Sequence, residues 1–66
     1  MTLSEARAKA EKGDLLTVEL QREHDGIPPM TRIFLVEAGP HRELALVLNP
    51  ECTSFLEIAA SHLRVV

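Results

Sequence analysis

Residues 31–48 read T-R-I-F-L-V-E-A-G-P-H-R-E-L-A-L-V-L, and this stretch constrains the chain most. Two apolar runs, 33–36 and 44–48, flank a short polar segment containing Gly39 and Pro40. Two β-rich runs joined by a short Gly/Pro loop predict an antiparallel hairpin. Neither run alternates between apolar and polar, so both faces of the hairpin must be covered. The chain has only 66 residues to do that with. A domain of this size buries only about 60% of its unfolded surface, and small folds often need a staple, a metal or a second copy.

The other residues narrow the choice. A single cysteine, Cys52, excludes a disulfide framework and suits a reducing, cytoplasmic setting. The first ten residues have no apolar core of a secretory signal, and no run approaches the roughly 20 apolar residues of a membrane span. Net charge is −3, whereas phosphate neutralisation favours a basic balance in nucleic-acid binders. The only aromatics are Phe34 and Phe55, too few for base stacking or for a proline-peptide groove.

Taken in order, residues 2–12 predict a helix. Thr2 is placed to cap it, Glu5 stands three residues on, and Gly13 follows the last turn. Its apolar side is thin: Leu3, Ala6 and Ala10. In residues 16–21, Leu16, Val18 and Leu20 alternate with Thr17, Glu19 and Gln21, which predicts a half-buried strand. Residues 22–30 predict an irregular loop, with a turn at Asp25-Gly26 and an extended path through Pro28-Pro29. After the hairpin, Asn49-Pro50 marks a turn. Residues 54–58 predict a strand, 59–62 a single 3₁₀ turn and 63–66 a last short strand.

That order of elements resembles the Src-homology-3-like small barrel over residues 14–66. The tail carries the resemblance best: Ile58-Ala59-Ala60-Ser61-His62-Leu63 sets two apolar residues on either side of the short turn. The resemblance implies a five-stranded antiparallel barrel in one domain of residues 1–66, with a short helix before it. It also implies inward places for Ile58 and Leu63. The alternative is an open four-stranded meander with the helix across one face. Peptide-binding members present Tyr, Trp and a paired proline. This chain lacks both aromatics, and Ala60 stands where that proline would lie. Plasmid-borne type II dihydrofolate reductases use a similar barrel as a tetramer, but no match to their active-site tetrapeptide occurs here.

The expected core is Leu16, Val18, Leu20, Ile33, Leu35, Leu46, Leu56, Ile58, Leu63 and Val65. Alternation then turns Phe34, Val36, Ala45, Val47 and Phe55 outward as an apolar oligomer or partner interface. This favours a non-enzymatic interaction module, either a homo-oligomer or a binder of another protein. Two alternatives follow. One is a nucleic-acid-binding barrel using Arg7, Lys9, Lys12, Arg22, Arg32 and Arg42; the other is an oligomeric enzyme with a site between subunits. No catalytic residue or cofactor is expected. Cys52 sits beside Glu51, the wrong neighbour for an activated thiol, and reads as an inert loop residue. The histidines match no zinc spacing. The resemblance to the Src-homology-3-like barrel, however, implies that the first loop, the hairpin loop and the 3₁₀ turn lie around one end of the fold. That arrangement makes His24, Asp25, His41 and His62 a candidate metal or proton-sensing cluster.

Overall fold

A computed structural model describes residues 1–38 and 43–66. It is a mainly β structure: one helix, α1 (Leu3–Lys12), and strands β1 (Leu16–Leu20), β2 (Arg32–Ala38), β3 (Leu44–Leu48), β4 (Phe55–Ala59) and β5 (Leu63–Val65). A single 3₁₀ turn, η1 (Ala60–His62), joins β4 to β5. Helix, strands and 3₁₀ turn fall within a residue or two of where the sequence predicts them.

Local chemistry sets the ends of α1. The Thr2 hydroxyl accepts from the Glu5 N–H at 3.2 Å and donates to the Glu5 carboxylate at 3.1 Å. At the other end Gly13 takes φ 77°, its N–H reaches the Ala10 carbonyl, and the Asp14 N–H reaches that of Lys9. Two otherwise orphaned carbonyls are thereby satisfied, and glycine adopts this left-handed conformation without strain.

The loop between β1 and β2 is built from two devices. His24 and Ile27 exchange hydrogen bonds of 3.1 and 2.9 Å across Asp25 (φ 46°) and Gly26 (φ 83°), a tight turn with both central residues at positive φ. At the start of β2, Met30 and Thr31 together oppose Leu20, forming a bulge. The Met30 N–H donates to the Leu20 carbonyl at 2.6 Å, and the Leu20 N–H donates to the Thr31 carbonyl at 2.9 Å. Met30 carries the left-handed conformation this needs, at φ 70°. Asn49 organises the β3–β4 turn. Its side-chain oxygen accepts from the N–H groups of Thr53 and Ser54, and its amide donates to the Thr53 hydroxyl at 2.9 Å.

The five strands form one antiparallel sheet in the order β4-β3-β2-β1-β5. Among the described residues β4 and β5 are not hydrogen-bonded to each other, so the sheet is open and hydrogen bonds do not close it into a barrel. It is nevertheless curled. Val18, Leu20, Ile33, Val47 and Ile58 pack as one cluster, with Leu63 against it, although β4 and β5 would lie about 19 Å apart in a flat sheet.

The core differs from the expected one at the hairpin. Leu35 pairs with Val47, but Glu37 pairs with Leu46, so β2 carries one extra residue between them. Val47 and Ala45 therefore lie on the core face and are buried, at 0% and 5% exposure. Leu46, expected inside, lies on the opposite face and is half-buried. Leu16 and Val65 do point to the core face, but they sit at its rim, 48% and 61% exposed. The opposite face is covered in part by α1. Ala6 and Leu48 are fully buried outside the main cluster, and Phe34 lines a depression with Arg7, Ala10 and Glu11.

Candidate functional site

Two surfaces and one set of loop residues hold the side chains singled out above. The first is an apolar groove of about 350 Å³ on the core face. Val18 from β1, Leu35 from β2, Ala45 from β3, and Leu63 and Val65 from β5 line it; Ala38, Leu44 and Ala60 complete the wall. It exists because the sheet curls without closing. Side chains that a closing strand would cover remain in view: Leu44 and Val65 of the lining are exposed, and so is Leu16 at the rim of the core face.

The expected interface set divides between the two faces. Ala45 and Val47 are turned inward by the hairpin bulge; only Ala45 reaches the groove. Phe34 and Phe55 lie on the helix face, both half-buried, and Val36 is half-buried at the bulge. The five residues therefore make no single outward patch. The register was hidden because an uninterrupted apolar run has no polar residue to mark which face is which.

The second surface is a row of charge on the helix face, which the sequence reading missed. Glu19 in β1 stands directly across from Arg32 in β2 and Arg64 in β5. Its carboxylate accepts from Arg64 Nη2 at 3.0 Å and from the Gln21 amide at 3.3 Å, and Glu19 is only 8% exposed. A buried carboxylate needs such partners, because burying an unpaired charge is costly. Glu19 and Arg64 are 45 residues apart, and only the β1–β5 pairing joins them. The pattern of β1 marks Glu19 as polar-face and nothing more.

The third set of side chains is the histidines that the sequence suggests could converge. His24 lies beside Asp25, with Nε2 3.5 Å from the carboxylate, inside the tight turn of the first loop. His62 ends η1 and passes its carbonyl to the Gln21 N–H at 2.7 Å, which ties the turn to the end of β1. His41 lies outside the described residues, as does the expected Gly39-Pro40 loop. Among the described residues no group of three histidine, cysteine or carboxylate side chains converges as a metal site. Of the basic residues, Arg7, Lys9 and Lys12 are on α1, Arg22 is in the first loop and Arg32 is on β2; Arg42 lies outside the described residues.

Cys52 adopts φ 57° in the β3–β4 turn and borders the depression between α1 and Phe34. No helix among the described residues is long and apolar enough to cross a membrane. Comparison with protein-family models, with curated proteins and with solved structures finds no match for this chain.

Proposed function

We propose that this chain is a small non-enzymatic interaction module that acts as a homo-oligomer. The groove of about 350 Å³ and its exposed apolar rim carry that reading. Water is a poor neighbour for such a surface, since each Å² of apolar area removed from it is worth about 25 cal/mol. Exposed apolar patches on small proteins mark contact sites. We further read the open sheet as a small barrel of the Src-homology-3-like kind. Support comes from the strand order β4-β3-β2-β1-β5 and from the 3₁₀ turn between β4 and β5.

Light scattering of the purified chain over a wide concentration range tests the reading. The expected mass is a multiple of the 7.3 kDa chain, rising with concentration. A mass fixed at 7.3 kDa up to millimolar protein would sink it.

A further inference from the structure

Among the described residues the open sheet leaves two strand edges, β4 and β5, and the ladders fix which backbone groups each presents. On β4, the Ala60 N–H donates to the Glu43 carbonyl at 2.8 Å and the Asn49 N–H to the Ser54 carbonyl at 3.0 Å. Antiparallel pairs alternate between bonded and non-bonded. Residues 54, 56, 58 and 60 therefore spend their groups on β3, and Phe55, Glu57 and Ala59 turn theirs to the free edge. On β5, His62 and Val66 bond to β1 through Gln21 and Thr17, which also assigns Arg64 to β1. Among the described residues Val65 is left with both groups free. Leu63 is left with its carbonyl, because its N–H reaches Ala60.

Such edges invite another strand, and charge decides among the ways two copies can meet. Antiparallel β4 on β4, in the register of greatest overlap, sets Glu57 against Glu57. Antiparallel β5 on β5 sets Arg64 against Arg64. Like charges directly opposite destabilise a sheet. Head-to-tail contact avoids both. β4 and β5 run in the same direction, since β4 is antiparallel to β3, β3 and β1 to β2, and β5 to β1. With like faces aligned, β4 of one copy therefore lies parallel to β5 of the next. Parallel strands bond when the edge-facing residues of the two strands point to opposite faces. Phe55, Glu57 and Ala59 lie on the helix face, whereas Leu63 and Val65 lie on the core face, so this condition holds.

We propose that a second copy of this chain docks by adding its β4 edge to β5, with Glu57 beside Arg64. This rests on the homo-oligomer reading above and names its contact. Glu57 and Ala59 donate to the carbonyls of Leu63 and Val65, and Val65 donates to that of Glu57. On the helix face the row Arg32, Glu19, Arg64 gains a fourth member, Glu57, and alternates in sign throughout. Arg64 holds Glu19 through Nη2 while its side chain remains 66% exposed, which leaves guanidinium donors for a second carboxylate. On the core face this register sets the exposed Val65 level with the buried Ile58, and Leu63 beside the half-buried Leu56. One free edge remains at each end, so the contact repeats until it closes into a ring or grows as a filament.

Two substitutions test the edge without touching the core. Ala59 has φ −55° and ψ 128°, angles proline adopts, and its N–H faces away from β3. Ala59→Pro should leave the melting curve unchanged or slightly raised and weaken association about tenfold, the size of one hydrogen bond. Glu57→Arg should weaken association and reverse its salt dependence. The natural chain should loosen as salt rises, and the variant should tighten because its Arg–Arg repulsion is screened. Sedimentation velocity at several concentrations reads both, and species larger than a dimer are expected. Assembly that ignores both substitutions, or that stops at a dimer, overturns the edge contact but leaves the module reading standing. A monomer at every concentration overturns both.

Discussion

Helix α1 and the β2–β3 hairpin are both strongly patterned, yet they differ in where their geometry comes from. The ends of α1 are set by residues within five positions of each other: Thr2 with Glu5, and Gly13 and Asp14 with Ala10 and Lys9. The hairpin has strong β-formers throughout but nothing local to fix its phase. Its register shifts between Leu35 and Glu37, and that shift decides which of Ala45, Leu46 and Val47 enter the core. Strong propensity specifies that a strand forms. Only contrast between its faces specifies how it is turned.

Val47→Asp tests the hairpin side of this contrast most severely. The sequence expectation placed Val47 outside, where the change would only split an oligomer. In the structure Val47 is fully buried among Val18, Leu20, Ile33 and Ile58. Leaving a charge unpaired there costs on the order of 3–5 kcal/mol, comparable to the whole stability of a chain this short. Circular dichroism should show loss of the cooperative transition. A folded Val47→Asp monomer would restore the outward assignment.

Thr2→Ala probes the locally determined region and should be milder. Loss of one N-cap costs about 1 kcal/mol, or about 4–8 °C in melting temperature for a domain of this size. The sheet should be untouched, so the change should appear in helical rather than strand signals. A cost as large as that of a core substitution would mean that α1 holds the sheet together.

Met30→Gly has the smallest expected effect, and its sign is opposite. Met30 is 75% exposed and sits at φ 70° in the bulge opposite Leu20. Relief of a left-handed residue gains about 1–2 kcal/mol, offset by about 0.5–1 kcal/mol for glycine's freedom in the unfolded chain. A net gain of roughly 1 kcal/mol or less should appear in denaturant unfolding. A clear loss would show that the Met30 side chain contributes packing its exposure hides.

The sequence by itself determined most of the elements and their ends. Periodicity marked β1, cap residues marked α1, and Asp25-Gly26 and Asn49-Pro50 marked turns, because each of these depends on neighbours a few residues away. It also found Ile58 and Leu63 on either side of the 3₁₀ turn. The candidate site was much less legible. The groove depends on how far the sheet curls, and the Arg32–Glu19–Arg64 row on three strands meeting. Whether Val47 or Leu46 enters the core depends on one extra residue in β2. Each was decided only in the tertiary structure. The physical reason is common to all three: strand pairing brings together residues distant along the chain, and an apolar run satisfies either face until its partner strands choose one.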